Sequence, residues 1–350
     1  MENIEEQQHV AIIGSGSSAF ACAIKAAEGG AKVTIIEGAQ MIGGCCVNVG
    51  CVPSKILIRA AQLAQQQRTN PFSGLENHTP ILSRSLLAQQ QTARVEELRI
   101  AKYQNILESN PALSLIKGYA RFKDENTLTI TNAEGLEREF HADKILIATG
   151  STPTIPPIPG LANTPYWTST EALFSECLPK HLVVIGSSVV ALEIAQAYRR
   201  LGSEVTILAR HTLLSREDPL LGEKLTECFE KEGLHVLKHT EANHVLHDGE
   251  LFQIKTNMGS LNCDNLLIST GRHANTAKLN LTVVGLDTNR HSAIIINDHM
   301  ETSVSGIYAA GDCSSMPQFV YVAAAAGSRA GINMTGGNAK LDLSAMPAVI

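Results

Sequence analysis

One pattern occurs twice in this chain, and it restricts the fold more than any other feature. His9-Val-Ala-Ile-Ile13 is a short apolar run. Gly14-Ser-Gly16-Ser-Ser-Ala19 follows, then helix formers to Glu28, then a second apolar run, Lys32-Val-Thr-Ile-Ile36, ending in Glu37. The order strand, glycine turn, helix, strand, acid is that of a dinucleotide-binding unit. Gly14 permits the tight turn, Gly16 lets the backbone approach a pyrophosphate, Ala19 allows close helix packing, and Glu37 can accept from ribose hydroxyls. The second copy starts at His181-Leu-Val-Val-Ile185 and continues through Gly186-Ser-Ser188-Val-Val-Ala191, a helix to Leu201 and the strand Glu204-Val-Thr-Ile-Leu208. There Ser188 replaces the middle glycine. A further echo closes each unit with one more strand. Ala142-Asp-Lys-Ile-Leu-Ile-Ala-Thr-Gly150 recurs as Cys263-Asp-Asn-Leu-Leu-Ile-Ser-Thr-Gly271, with five of nine positions identical. The expected fold class is α/β, with two Rossmann-like nucleotide-binding domains.

The copies differ at their acid. The position matching Glu37 in the second copy is Ala209, followed by Arg210 and, a little beyond, Arg216. An acid there repels a 2′-phosphate, whereas arginines bind one. The first unit is therefore expected to take a cofactor with a free 2′-hydroxyl and the second to take NADPH. Arg210 and Arg216 also suit a solvated surface pair.

Between the copies lies Cys46-Val-Asn-Val-Gly-Cys51-Val-Pro-Ser-Lys55, followed by helix formers to about Arg68. Cys51 is expected at the start of a helix, since Pro53 is tolerated in a first turn. The helix dipole favours a thiolate there. The alternative is a structural disulfide, but closing so small a loop contributes only about 2 kcal/mol. A redox pair is the reading carried forward. Of the eight cysteines, Cys22, Cys177, Cys228, Cys263 and Cys313 are isolated in apolar or helical stretches and read as buried thiols.

The remaining segments are expected as follows. Residues 70–82 form a loop and residues 83–109 one long amphipathic helix. Residues 113–140 form a small antiparallel sheet, and Pro153, Pro156, Pro157 and Pro159 a stiff linker. Ala293-Ile-Ile-Ile-Asn297 is expected as a strand. Gly306-Ile-Tyr-Ala-Ala-Gly311-Asp312 is expected to end a strand of the first unit's sheet, ahead of a small-residue helix from Val322 to Ala330. Asp312 can accept from sugar-like hydroxyls while that helix faces a phosphate. The second unit is thus an insertion in the first domain.

The net charge of −6 gives no reason to expect nucleic acid or an anionic membrane. No apolar run approaches the roughly 18 residues of a span. The acidic start, Met1-Glu-Asn-Ile-Glu-Glu, is unlike a secretory signal, so a cytoplasmic protein is expected.

Two dinucleotide units, the Cys46–Cys51 motif with Ser54-Lys55, the two Thr-Gly motifs and Gly311-Asp312 together resemble the pyridine nucleotide–disulfide oxidoreductases over the whole chain. Within that family, Tyr166-Trp-Thr-Ser-Thr-Glu-Ala-Leu173, Gly186-Ser-Ser-Val-Val-Ala-Leu-Glu193 and Phe319-Val-Tyr-Val-Ala-Ala-Ala-Ala-Gly327 look most like the members that reduce Hg(II) to Hg(0). The resemblance implies an FAD-binding domain from residues 1–152 and 273–340, an NADPH-binding domain from 153–272, and the start of a dimerisation domain at 341–350. It implies that Gly14, Gly16, Ala19, Glu37, Gly44, Thr149, Gly150, Gly311 and Asp312 hold FAD. Gly186, Arg210, Arg216, Gly271 and Arg272 would hold NADPH. Val189 stands where relatives carry a gating tyrosine. Cys51 is implied as the flavin-proximal thiolate and Cys46 as the interchange thiol, together gripping Hg(II), with Lys55 paired to Glu193 and Tyr103 near the metal. Cys45 replaces a usual threonine. The chain ends where the family continues into a domain that completes a homodimer's site. Dihydrolipoamide- or glutathione-type disulfide reduction is the alternative chemistry, and a soft-metal-binding thiol protein the alternative without catalysis.

Overall fold

The first copy of the repeated pattern folds as β1 (His9–Ile13), α1 (Ser17–Glu28) and β2 (Lys32–Glu37). The structure is a computed structural model that describes residues 7–347. Two units result: the first gathers the chain up to Asn48, Glu96–Thr152 and the chain from His273 onward; the second gathers Val49–Val95 and Pro153–Arg272.

In the first unit, β3 (Leu113–Lys117), β7 (Lys144–Ile147) and β17 (Ile307–Ala309) join β1 and β2 in one parallel sheet, ordered β17-β7-β1-β2-β3. Val10, Ala11, Ile12, Val33, Ile35 and Ile145 are all fully buried, as expected of parallel strands covered on both faces. β4 (Tyr119–Phe122), β5 (Thr127–Thr131) and β6 (Glu137–His141) form an antiparallel meander beside it. α9 (Val320–Met334) lies against α1 with almost no side chain between them. A Cβ on Gly327 would stand 2.0 Å from the Ser18 carbonyl oxygen, and one on Gly331 would stand 2.5 Å from that of Cys22.

The second unit repeats this plan. β9 (His181–Ile185), α7 (Val189–Leu201) and β10 (Glu204–Ala209) are followed by α8 (Pro219–Lys231), β11 (His235–Lys238) and β15 (Asn265–Ile268). The parallel order is β11-β10-β9-β15, and β12 (Ala242–His247), β13 (Phe252–Thr256) and β14 (Gly259–Cys263) make the matching meander. α3 (Cys51–Arg68) belongs to this unit's core: Leu57, Ala61 and Ala64 share one cluster with Leu192, Ala195 and Tyr198 of α7. α6 (Ser169–Phe174) is tied to α7 by the Tyr198 hydroxyl, which donates to the Ala172 carbonyl at 2.5 Å. β8 (Ser151–Pro153) and β16 (Arg272–Ala274) form a short two-stranded ladder.

The likeness of the two sheets reaches their side chains. His9 Nε2 meets Thr34 Oγ1 at 2.8 Å, and His181 Nε2 meets Thr206 Oγ1 at 2.9 Å. Asp143 accepts from the His9 amide at 2.7 Å, and Asp264 from the His181 amide at 2.6 Å. The aspartates are those of the two nine-residue echoes, so the recurrence in sequence is a recurrence of strand-tethering contacts.

Several expectations need correction. Residues 113–117 are a parallel strand of the main sheet, not part of an antiparallel one, because β2 leaves an edge that Leu113–Lys117 pairs in register. Residues 83–109 are not one regular helix. α4 (Arg84–Arg99) and α5 (Asn105–Ser109) flank a π-helical turn at Ile100–Gln104. Its extra residue shifts the phase so that Tyr103 is buried and Lys102 exposed. Residues 293–297 make only isolated bridges through Ile294. Asn289 and Asn297 accept backbone N–H bonds there, offering the chain local partners in place of a strand ladder. The small-residue helix is longer than expected, Val320–Met334. By contacts, Val49–Val95 is grouped with the second unit. The acidic start up to Glu6 and residues 348–350 lie outside the described residues, and up to Pro347 the last segment carries no strand.

The α1–α9 contact has a direct test. Gly327→Val should lower the midpoint of chemical denaturation by an amount equivalent to about 1–3 kcal/mol, the usual scale of overpacking. Gly74→Ala, where an added Cβ meets nothing within 4 Å, should leave it unchanged.

Candidate active site

The first unit's site begins at the turn after β1. Gly14 has φ +107°, and a Cβ there would lie 2.3 Å from the Ala148 carbonyl oxygen, so the turn tolerates only glycine. Its N–H donates to Ile36 O at 2.8 Å. Ser15 then binds in two directions. Its hydroxyl donates to Glu37 Oε2 at 2.5 Å, and both its oxygens accept from the Gly43 amide, the carbonyl at 3.0 Å and the hydroxyl at 3.1 Å. Glu37 Oε1 accepts from the Ala39 amide at 2.7 Å. The carboxylate is thus held at the end of β2, and each oxygen keeps a further lone pair for a ligand hydroxyl.

Gly43 and Gly44 carry the cysteine segment onto this turn. A Cβ on Gly44 would stand 2.6 Å from Gly16 Cα, so the two backbones touch. The short helix α2 (Gly44–Asn48) follows and carries Cys45 and Cys46. Asn48 closes it by donating to Ile42 O at 2.8 Å and Gly44 O at 3.0 Å. Neighbouring residues of a helix face different ways, so Cys45 and Cys46 do not project to one side. Both are half-buried. Tyr103 is buried in the same unit, edge-on to Phe20 with ring centroids 4.9 Å apart, and its hydroxyl lies 3.3 Å from Ser17 Oγ. Ala19 is fully buried on α1.

At the other end of the turn, Ser151 donates to Asp312 Oδ2 at 2.9 Å, and Ser18 donates to the Ala310 carbonyl at 3.2 Å. Gly311-Asp312 is therefore placed over the start of α1. Thr149 and Gly150 are held by Asn275, whose amide side chain donates to Thr149 O at 2.9 Å and whose backbone N–H donates to Gly150 O at 3.0 Å.

In the second unit, Cys51 opens α3 and is exposed. Lys55, one turn on, donates to both oxygens of Glu193 on α7, at 2.6 and 2.7 Å. The turn after β9 repeats that of β1. Gly186 has φ +141°, with the Ser269 carbonyl 2.1 Å from where a Cβ would be. Arg210 and Arg216 lie on the exposed loop after β10, and the Leu214 amide of that loop donates to Ser187 O at 2.9 Å. Gly271 accepts from the Thr154 amide at 2.9 Å, and Arg272 begins β16. Ser15, Asn48, Ser151 and Asn275 are not among the residues expected from the sequence. The small polar residues beside the Gly and Asp positions were the available signal.

Residues 8–327 match the family model of the pyridine nucleotide-disulphide oxidoreductases. This chain belongs to that family. It is 77% identical over 345 residues to a mercuric reductase of Shewanella putrefaciens, covering 99% of this chain and 62% of that protein. It is 56% identical to one of Acidithiobacillus ferrooxidans, covering 99% and 64%. The chain thus spans a little under two thirds of the length of these relatives. Among solved structures it is similar to the HOCl-induced flavoprotein disulfide reductase RclA of Escherichia coli. The TM-score there is 0.83 at 29% identity, covering 95% of this chain and 72% of that one. Among the described residues no helix is long and apolar enough to cross a membrane.

The thiols divide by environment. Cys22 and Cys313 are fully buried, and burial raises both thiols above the ordinary range. Burial pushes Cys263 up to about 12. Cys177 and Cys228, expected as buried, are exposed. After reduction, iodoacetamide at pH 8 should label Cys51, Cys177 and Cys228 within minutes. Cys22, Cys263 and Cys313 should react only after denaturation. Peptide mapping by mass spectrometry checks this.

Proposed function

We propose that the chain supplies the FAD- and NADPH-binding parts of a mercuric reductase, an enzyme that oxidises NADPH and reduces Hg(II) to Hg(0). The balance is NADPH and Hg(II) giving NADP+, a proton and Hg(0). The carrying observation is the seating of the cysteine segment on the first dinucleotide turn through Gly43, Gly44 and Ser15. This seating brings Cys46 within one helical turn of the backbone that would hold a cofactor's pyrophosphate. The names of the similar proteins supply the substrate.

The residues of the first unit fit FAD. Gly14 and Gly16 leave the turn's backbone bare for the pyrophosphate, Glu37 offers acceptors to ribose, and Asp312 offers them to a polyol chain. Gly44, Thr149, Gly150 and Gly311 shape the walls. Bound FAD would supply a two-electron relay between nicotinamide and thiols. Gly186, Gly271, Arg210, Arg216 and Arg272 would bind NADPH. Val189, which starts α7, is too small to gate that pocket as an aromatic would.

The chain's own groups then act on the metal ion. Cys46 and Cys51, as thiolates, form a soft ligand pair suited to Hg(II). The Lys55–Glu193 ion pair holds both side chains in one orientation between α3 and α7, which gives the second unit a fixed charge pattern beside Cys51. Tyr103, buried against Phe20, would stand near the metal ion. Residues 1–152 with 273–340 would serve FAD and residues 153–272 NADPH, within a cytoplasmic homodimer.

The test is NADPH-dependent release of Hg(0) by the flavin-loaded chain, run against oxidised glutathione and lipoamide. Hg(II) should be consumed and the disulfides left. Cys51→Ala should lower Hg(II) reduction by at least about 10³-fold, as for a residue acting as one unit with its partners, while bound flavin stays equal to the parent's. Turnover near the parent rate in that variant would defeat the proposal.

A further inference from the structure

The two units differ at one anion. In the first, Ser15 donates its hydroxyl to the Glu37 carboxylate at 2.5 Å while its carbonyl anchors an incoming loop, accepting from Gly43 N at 3.0 Å. Ser187 holds the same place in the second unit. It follows Gly186 as Ser15 follows Gly14, and its carbonyl anchors an incoming loop by accepting from Leu214 N at 2.9 Å. Both anchoring residues have a positive φ, +102° at Gly43 and +48° at Leu214. A leucine held in the left-handed region costs energy, so the second loop is positioned at some expense.

The frame around the two serines is the same. Gly186 N donates to Leu208 O at 3.1 Å as Gly14 N donates to Ile36 O at 2.8 Å. Each glycine is jammed beneath the carbonyl of the matching residue, Ala148 or Ser269. What changes is the acceptor. The residue in Glu37's place is Ala209, whose methyl group accepts nothing. Correspondingly, Ser15 is 1% exposed whereas Ser187 is half-buried. The second unit therefore keeps the donor and its mount, lacks the carboxylate, and carries Arg216 two residues beyond the anchor.

We propose that Ser187 Oγ is a specificity-determining donor to the 2′-phosphate of NADPH. A phosphate oxygen would take the place that a Glu37 carboxylate oxygen holds beside Ser15. A hydroxyl donates more strongly to an anion than to a neutral ribose hydroxyl, so the contact favours NADPH over NADH. The first unit satisfies its serine with an acid of the chain; the second leaves that acid for the ligand to bring. This inference rests on the NADPH reading above.

Titration of the flavin-loaded chain with adenosine 2′,5′-bisphosphate and with 5′-AMP, by calorimetry, isolates the 2′-phosphate. Ser187→Ala should weaken the bisphosphate and NADP+ about tenfold or more, as for loss of a hydrogen bond to a charged group, and leave 5′-AMP and NAD+ within about twofold. Ser187→Thr, which keeps a hydroxyl, should retain most of the preference. Ala209→Glu should weaken NADP+, and in that background Ser187→Ala should cost nothing more. Equal losses for both ligands, or no loss for NADP+, overturn the assignment of Ser187 and leave the NADPH reading standing. A parent chain that binds the bisphosphate no tighter than 5′-AMP overturns both.

Discussion

A carbonyl oxygen from the fourth strand of each sheet lies close above the turn after the first. At Gly14 it belongs to Ala148, and at Gly186 to Ser269. No side chain fits beneath either, so the backbone there is bare and its positive φ is fixed by sterics. The loops that follow each turn are mounted on that contact. The turn is held down by the same strand that carries Thr149-Gly150 in one unit and Thr270-Gly271 in the other. The serine that follows each glycine has its carbonyl turned outward to receive a loop. In the first unit that loop brings the cysteines; in the second it brings Arg216.

The duplication gives two copies of one frame that differ at the residue ending the second strand, Glu37 or Ala209. His9, Thr34 and Asp143 tether the first sheet as His181, Thr206 and Asp264 tether the second. They tie β1 to β2 and β9 to β10 near the strand starts, away from positions 37 and 209 at the strand ends. In the first unit α9 adds to this rigidity: Gly327 and Gly331 bring it into backbone contact with α1, which fixes the Gly311-Asp312 corner above the same turn.

Much of this was legible in the chain itself. The strand–turn–helix copies, the two echoed closing strands, the helix opening at Cys51 and the return of Ile307–Ala309 to the first sheet all follow from apolar runs broken by glycine, where local steric rules leave little choice. The misses share a cause. Leu113–Lys117 alternates like an antiparallel strand, and only the open edge of β2 decides that it runs parallel. The π turn at Tyr103 depends on which residue meets Phe20, which periodicity along one helix cannot register. Ala293–Asn297 has the composition of a strand, but its backbone bonds to Asp287, Asn289, Glu301 and Cys313 in turns and isolated bridges instead of to one partner strand.

The sequence by itself determined the two strand–turn–helix copies, the spacing of Cys46 and Cys51, and the absence of an acid at position 209. These depend on residue type and spacing along the chain. Only the tertiary structure decided what the glycines before the cysteines are for, that Ser15 meets the Glu37 carboxylate, and that α3 packs with α7 although Cys46 stays with the first turn. Those are contacts between segments far apart in sequence, and close packing, with Gly16 Cα 2.6 Å from where a Cβ of residue 44 would be, is what settles them.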